Sequence, residues 1–178
     1  DTNQRVDVSQ DLHDYRMQAR QWLAENAPAF CGEARAGLSF EEDVALGRQW
    51  QALKAEAGYA AINLPRKWLG GGQSELHKII FGEEELRYQL PIEYFVISTA
   101  QCMAIFLAYG ADEFKDKLAP LAIRGEQIWC QMFSEPAAGS DLAALRLKAV
   151  RETRDGVDGW CLSGQKLWTS WAHIAHWG

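Results

Sequence analysis

The spacing of apolar residues changes near residue 126. Before that point apolar residues recur at steps of three and four, as on one face of an α-helix. After it they alternate with polar residues or form short runs, as in β-strands. The pattern predicts helices over 7–26, 40–57, 75–86, 92–109 and 112–123, and strands over 128–133, 145–153, 160–163 and 167–171. We therefore expect an α+β chain: an all-α domain at 1–126, then the first strands of an antiparallel, barrel-like β-domain at 127–178.

Short local motifs mark where several of these elements begin or end. Ser39 and Glu42 have the spacing of a capping box at a helix start. Gly58 can take the left-handed backbone that ends the same helix, and Ser74 can cap the next one. Pro120 is expected to bend or break the last helix.

Aspartate–glycine pairs indicate where the predicted strands reverse. Asp155-Gly156 and Asp158-Gly159 mark a hairpin, and Gly164-Gln165 marks a further turn. Each pair lies between predicted strands. We expect the C-terminal part of the chain to be a series of short strands joined by tight turns.

The helix predicted at 92–109 is apolar on nearly all sides, which is typical of a buried central helix. Phe114 and Leu118 of the following helix are expected to face inward. The longest apolar run, about fifteen residues from 95 to 109, contains Ser98, Thr99 and Gln101 and is short for a membrane span. The sequence therefore predicts a buried helix at this position.

Composition excludes several functional classes. The 178 residues carry a net charge of −6, with mixed signs along the chain. No basic stripe is present that could follow nucleic-acid phosphates, so nucleic-acid binding is not expected. Four cysteines stand far apart without a C-x-x-C pair, which favours reduced thiols in a cytoplasmic or similar compartment.

Three groups of residues have the chemistry of a site but do not meet the other requirements of one. Adjacent helix positions diverge by about 100°, so the three acids at 83–85 are interpreted as a solvated face rather than a catalytic cluster. The glycines at 70–72 match neither a Walker loop nor a dinucleotide fingerprint. His173 and His176 have a metal-site spacing, but no further ligand completes a set, so no metal is expected.

The stretch Gln131 to Asp141 reads Q-M-F-S-E-P-A-A-G-S-D and places a predicted strand before a tight turn. A turn rich in glycine, serine and proline offers hydroxyls and free backbone N–H groups. Such a loop can hold an anion or the edge of a heterocycle. Taken alone, it is equally compatible with a plain corner between two strands.

This stretch, followed after one hairpin by G-Q-K-L-W-T-S at 164–170, resembles the signature of the acyl-CoA dehydrogenase family of flavoproteins. The likeness extends from about Leu12 to Trp177 and includes A-G-Y at 57–59, Pro65, the glycines at 70–72 and A-P-L at 119–121. One departure is Ala138, where the family often has glycine. A second is length, because the family is roughly twice as long as this chain.

The resemblance implies a set of flavin-binding residues. Gln131, Phe133 and Ser134 match positions along the isoalloxazine, and Ser140 matches a position near the flavin phosphates and the CoA moiety. Trp168 is expected to pack on the flavin ring, with Thr169 and Ser170 donating toward its N5 side. FAD is thus the implied cofactor. The implied cofactor-binding set is Gln131, Phe133, Ser134, Gly139, Ser140, Trp168, Thr169 and Ser170.

The resemblance also implies an acyl-CoA substrate, with Tyr94, Ile97 and Gln101 near the acyl chain and Ser140 near the CoA. In the family a carboxylate removes the α-proton while the β-hydrogen leaves as hydride to flavin N5. That carboxylate comes from the C-terminal helical domain, so no catalytic residue is nominated in this chain, and Glu135 is expected to be structural. The implied partners are an electron-transfer flavoprotein and further copies in a homodimer or homotetramer.

Three interpretations stay open. The first, which rests on the motif match, is a piece of a flavin-dependent acyl-CoA dehydrogenase that donates electrons to an electron-transfer flavoprotein. A fragment is expected because four short strands with an unpaired edge make a poor independent unit. The second keeps the fold but has acyl-CoA oxidase or flavin monooxygenase chemistry. The third is a non-catalytic subunit that supports an active homologous partner.

Overall fold

The computed structural model describes residues 8–178. The first residue of the first predicted helix, Asp7, lies outside this range. The described residues form two compact units that divide after Ile128. The first contains helices α1 (Val8–Asn26), α2 (Phe40–Glu56), α3 (Glu75–Glu85), α4 (Met103–Tyr109) and α5 (Asp112–Ile123), and the second contains strands β1 (Lys148–Arg154) and β2 (Val157–Ser163). The predicted fold class, helices followed by antiparallel strands, is confirmed.

Short π- and 3₁₀-helical segments connect or extend these elements. A π-helix at Ile97–Cys102 leads directly into α4. Single 3₁₀ turns lie at Ala27–Phe30, Gly32–Ala34, Arg66–Trp68 and Leu142–Ala144. The two longest helices, α1 and α2, come first in the chain.

The core of the first unit is built on the predicted apolar stripe of α1. Ala19 and Leu23 are fully buried and belong to one cluster with Trp50 of α2 and Phe81 of α3. Aromatic rings close its edge, with Tyr59 stacked on Phe81 at 4.5 Å between ring centroids. Burying large aromatic side chains is a major source of folding free energy, so this cluster holds the helices together.

The predicted ends of α2 are confirmed. The amide of Glu42 donates to the Ser39 hydroxyl at 3.3 Å, and the Ser39 amide donates to the Glu42 carboxylate at 2.8 Å. Gly58 follows the helix with φ +81°, the left-handed conformation expected of it. Ser74 differs: it occupies the cap position of α3 without a side-chain cap bond, because its hydroxyl instead bonds the Nδ1 of His77 at 2.7 Å.

The prediction of a solvated acidic face at 83–85 was wrong for two of the three residues. Glu84 is 1% exposed. One of its carboxylate oxygens accepts from Arg16 and Arg20, each at 2.9 Å, and the other pairs with Arg87. Sequence spacing shows the face on which a residue lies, but it does not show that arginines of α1 cover that face.

The neighbouring acid, Glu85, is buried on a different side of α3. A single oxygen of its carboxylate accepts from the indole N–H of Trp50 at 3.0 Å and from the ammonium of Lys54 at 2.9 Å. Adjacent positions on the helix point in different directions, as expected, because Glu84 and Glu85 bind separate partners. Each carboxylate thus ties α3 to a different helix.

The arginines around Glu84 make the stability of the protein depend on pH. Hydrogen bonds from Arg20, and then from Arg16, lower the pKa of Glu84 from its ordinary 4.5 to about 2, against the opposing effect of burial. A carboxyl with a depressed folded-state pKa stabilises the protein fully above its unfolded pKa and loses that effect as pH falls through the folded value. We therefore expect this contribution to disappear between about pH 4.5 and about pH 2.

Urea unfolding of the unsubstituted chain and of Glu84→Gln, from neutral pH down to about pH 2, measures the effect. The two free energies of unfolding should differ most near neutral pH and converge at the acid end. Glu83→Gln is the matched control, because Glu83 is exposed and pairs with Arg16 at the surface, where such pairs contribute about 1 kcal/mol at most. A constant difference between unsubstituted and Glu84→Gln chains at all pH values would contradict the assignment.

The helix predicted at 92–109 is shorter and less buried than expected. The π-helix and α4 together cover 97–109, and residues 93–95 form a turn. Val96, Ile105 and Tyr109 are exposed, as is Phe114, which was predicted to face inward; Leu118 is buried as predicted. Only part of this apolar segment is therefore buried within the first unit, including Phe95 and Met103.

In the second unit, β1 and β2 pair antiparallel from Lys148 with Ser163 to Arg154 with Val157. Asp155 and Gly156 connect them with φ +51° and +78°, the left-handed pair that a two-residue hairpin turn requires. This turn is confirmed. The second predicted turn pair, Asp158-Gly159, lies within β2 instead.

The strands predicted at 128–133 and 167–171 were wrong. The first segment has a single backbone bridge, between Trp129 and Trp177, and the second runs into a turn at 170–174. An alternating pattern shows that a segment suits a sheet, but a strand also needs a neighbour to pair with. The sequence pattern does not supply that information.

Candidate functional site

The stretch from Ser134 to Ala138 forms the expected tight turn. The amide of Glu135 donates to the carbonyl of Ala138 at 2.7 Å, and the amide of Ala138 donates back at 3.1 Å. Pro136 and Ala137 occupy the turn between them. The chain reverses here within four residues, so the residues on either side lie at one end of the second unit.

Folding brings the two parts of the sequence signature side by side. The amide of Leu167 donates to the carbonyl of Ser134 at 2.9 Å, and the ammonium of Lys166 donates to the carbonyl of Phe133 at 2.8 Å. Residues 133–134 and 166–167, more than thirty positions apart, are therefore direct neighbours. The predicted flavin residues Phe133, Ser134 and Trp168 belong to these two segments or adjoin them.

A buried carboxylate lies under this junction. Glu135 is 4% exposed and accepts from the amides of Arg146 at 2.6 Å and Leu147 at 3.0 Å, and from Lys166 at 3.0 Å. The backbone N–H of Arg146, followed by Lys166, lowers the pKa of Glu135 below its ordinary value. Its oxygens are engaged by donors, which agrees with the structural role expected of it.

Two aromatic rings of the signature are exposed instead of buried. Phe133 is 51% exposed and Trp168 is 78% exposed. Trp168 also has φ +51°, a left-handed conformation that is uncommon for a bulky residue. Strained backbone that persists at an exposed aromatic residue is typical of functional sites. Two free ring surfaces beside polar backbone groups fit a flat heterocycle with polar edges such as isoalloxazine.

The other predicted flavin residues lie around the same junction. Gln131, Ser134 and Thr169 are half-buried, while Gly139, Ser140 and Ser170 are exposed. The carbonyl of Ser140 accepts from the amide of Leu142 at 3.2 Å, at the end of the signature turn. Their assignment to the cofactor stays a prediction.

The structure adds two features to this site that sequence reasoning missed. Lys166 was not nominated, although a lysine thirty-one positions after a buried glutamate is compatible with an ion pair. The left-handed backbone of Trp168 has no sequence signal, since glycine or asparagine usually marks such a position. Both features concern how the loop is held rather than which side chains it presents.

Three of the four predicted substrate residues, Tyr94, Ile97 and Gln101, lie in the first unit, whereas Ser140 lies in the second. Ile97 and Gln101 lie four positions apart in the π-helix, half-buried and exposed respectively. Tyr94 precedes that helix, is buried, and donates its hydroxyl to Asp43 at 2.7 Å. It lines a cleft of about 450 Å³ with Arg35 and Asp43. A separate cavity of about 190 Å³ borders the same segment through Phe95, Val96 and Thr99. The role of these residues toward an acyl chain stays a prediction.

Within residues 8–178, no group of three histidine, cysteine, aspartate or glutamate side chains is placed to hold a metal ion. His173 and His176 therefore acquire no further ligands from the described part of the chain. In the same range, none of the helices combines the length and the apolar character needed to cross a membrane.

Comparison with known proteins identifies the relatives of this chain. The sequence profile of the family described as "Acyl-CoA dehydrogenase, N-terminal domain" matches residues 9–126. The acyl-CoA dehydrogenase IpdE1 of Mycobacterium tuberculosis is 34% identical over 175 residues, which is 94% of this chain and 43% of that protein. The chain thus spans less than half the length of that relative.

Solved structures show the same similarity. The ChsE4–ChsE5 complex from Mycobacterium tuberculosis matches with a TM-score of 0.72 and 32% identity, covering 93% of this chain and 40% of the other. The Tcur3481–Tcur3483 steroid ACAD matches with a TM-score of 0.66 and 25% identity, covering 93% of this chain and 41% of the other. Both matches cover more than nine-tenths of this chain.

Proposed function

Because the chain belongs to the acyl-CoA dehydrogenase family, we propose that it supplies the flavin-binding loop of an FAD-dependent enzyme that introduces an α,β double bond into an acyl-CoA thioester. The observation that carries the proposal is the junction of the two signature segments, where exposed rings of Phe133 and Trp168 stand beside the backbone bond between Leu167 and Ser134. The family match and this geometry both support the proposal.

Each residue of the junction has a physical task in this proposal. Trp168 and Phe133 offer apolar ring surface to a planar ligand. Gln131, Thr169 and Ser170 offer hydrogen-bonding groups to its polar edge, and the loop of Gly139 and Ser140 leaves backbone open near a phosphate. Bound FAD would be the group that accepts the hydride. What these side chains contribute is binding, orientation and exclusion of water.

Proton abstraction is assigned to no residue of this chain. Glu135 accepts from two amides and one ammonium, and the depressed pKa of its carboxyl makes it a weak base. Glu84 and Glu85 are enclosed by cationic or indole donors in the first unit. We propose that the base belongs to a part of the whole protein beyond these residues, as the family resemblance implies.

The proposal is tested on the whole protein, reconstituted with FAD and titrated anaerobically with acyl-CoA thioesters of different size. A dehydrogenase should bind FAD, and a suitable acyl-CoA should bleach its visible absorbance. Rapid reoxidation by air would favour an oxidase or monooxygenase, whereas transfer to an electron-transfer flavoprotein would favour a dehydrogenase. Failure to bind FAD would contradict the proposal.

The complexes among the solved structures favour a second proposal, which concerns the assembly of the protein. Two of the matching structures contain paired chains with different names, ChsE4 with ChsE5 and Tcur3481 with Tcur3483. We propose that this chain assembles either with its own copies or with a second, homologous chain that carries part of the catalytic machinery. Coexpression with a homologous chain, followed by mass measurement of the complex, separates a homomeric from a heteromeric assembly.

The steroid ACAD among these structures also suggests a substrate class. We propose that the substrate is an acyl-CoA whose acyl group carries a bulky ring system. Thioesters with simple straight acyl chains are the alternative substrates. Comparing kcat/KM for ring-bearing and straight-chain thioesters in the assembled protein tests this choice. A clear preference for straight chains would contradict it.

A further inference from the structure

A single buried ion pair joins three separate segments of the second unit. Glu135 belongs to the signature turn, its amide donors Arg146 and Leu147 precede β1, and Lys166 follows β2. The side chains of Glu135 and Lys166 are only 6% and 17% exposed. A charge in such a position is retained only where hydrogen bonds compensate its loss of water, and here three donors meet one carboxylate.

Lys166 makes a second bond that extends the junction. Its ammonium donates to the carboxylate of Glu135 at 3.0 Å and to the carbonyl of Phe133 at 2.8 Å. The next residue, Leu167, donates its amide to the carbonyl of Ser134 at 2.9 Å. The carbonyls of Phe133 and Ser134 are therefore tied to the chain just before Trp168 by one lysine and one amide.

The residue after this amide is Trp168, whose backbone is left-handed with φ +51°. A bulky residue keeps such a conformation only when its surroundings fix it. Its ring is mostly exposed, so packing of the ring contributes little to holding it. The constraint comes from the chain on either side: Lys166 and Leu167 before it are both bonded, and the carbonyl of Thr169 after it accepts from the amide of Ala172 at 3.3 Å.

We propose that Glu135 and Lys166 are positioning residues for the flavin: their ion pair holds the two signature segments together and presents Phe133 and Trp168 before the cofactor binds. This inference rests on the proposed function of the same loop. It assigns a role in flavin binding to two residues that are not in the predicted cofactor-binding set. A ligand that meets a preformed site avoids the cost of ordering it.

The test uses the whole protein with Glu135→Gln and Lys166→Met. If the loop is competent for a tenth of the time without the pair, the apparent Kd for FAD rises about tenfold. Lys166→Arg keeps the charge and should restore most of the affinity. Glu152→Gln is the matched control, because Glu152 pairs with an exposed arginine, Arg154, in the hairpin; its affinity for FAD should stay unchanged.

A second measurement does not need the cofactor, and its first part is made on the unsubstituted protein. Hydrogen exchange of the Arg146 and Leu147 amides in the apo protein reports directly on the bonds to Glu135. The proposal requires these amides to be protected, and requires Lys166→Met to accelerate their exchange while amides of α2 keep theirs. Exchange at the rate of an unstructured chain in the unsubstituted apo protein would overturn it, even if a variant fails to fold.

The outcomes separate this inference from the proposed function. Loss of FAD in Trp168→Ala with normal FAD binding in Lys166→Met overturns the positioning role and leaves the site assignment intact. Normal FAD binding in Trp168→Ala contradicts the site itself. Weakened binding in both, with rescue by Lys166→Arg, supports both conclusions.

Discussion

Replacing Trp168 with alanine is expected to weaken FAD binding to the whole protein by about ten- to a hundredfold. Stacking of a planar base on an aromatic side chain contributes roughly 1–3 kcal/mol by alanine substitution, and about 1.4 kcal/mol corresponds to a factor of ten in Kd. Because the indole is 78% exposed, its removal opens no cavity in the second unit. The effect should therefore appear in cofactor affinity, measured by fluorescence titration of apo protein, rather than in stability.

The chain supplies a matched control for this substitution. Trp160 is 65% exposed in the same unit but lies in β2, outside the signature. Trp160→Ala should bind FAD normally, and Trp168→Phe should retain part of the affinity because a ring remains. Alanine, like tryptophan, is not favoured at φ +51°, so the backbone constraint is similar in both chains. Equal FAD affinity of Trp168→Ala and the unsubstituted protein would remove this residue from the site.

The elements predicted well are those whose signals are local. The capping box of Ser39 and Glu42, the left-handed Gly58 and the turn at Asp155-Gly156 each depend on residues within four positions. Each of these motifs satisfies backbone groups at a helix end or in a turn. Such motifs can be recognised from the local sequence alone. The same holds for the buried stripe of α1.

The predictions that failed depend on partners distant in sequence. Glu84 is buried because arginines sixty-four and sixty-eight positions earlier cover it, and the segment at 128–133 lacks the pairing that would make it a strand. Charge and periodicity give the preference of a residue or segment, but not the neighbour that satisfies it. Burial and strand formation both depend on that neighbour.

The site shows the same division. The motif spacing led to Phe133, Ser134 and Trp168, and the backbone bonds at the junction do bring these segments together. It did not indicate that Lys166 and the amides of 146–147 would meet Glu135, or that Trp168 would be left-handed. These are properties of the support beneath the loop, which is formed by segments from three places in the chain.

A large stability effect is expected at the buried pair of Lys54 and Glu85. Both side chains are almost fully buried, and breaking such a pair by removing one partner typically costs roughly 3–5 kcal/mol, since the remaining charge has no compensation. Lys54→Met leaves the Glu85 carboxylate with only the indole N–H of Trp50 as a donor among the bonds described above. A small domain is stable by only about 5–15 kcal/mol, so this variant should unfold at much lower urea concentration.

Two further variants show whether the loss comes from the uncompensated charge. Lys54→Met combined with Glu85→Gln removes both charges but keeps an oxygen for Trp50, and should recover most of the stability. Lys67→Met is the control, because Lys67 and Asp116 form an exposed pair for which a loss of about 1 kcal/mol or less is expected. If the double variant is as unstable as Lys54→Met alone, the cost lies in lost packing around the lysine stem, and the electrostatic explanation is wrong.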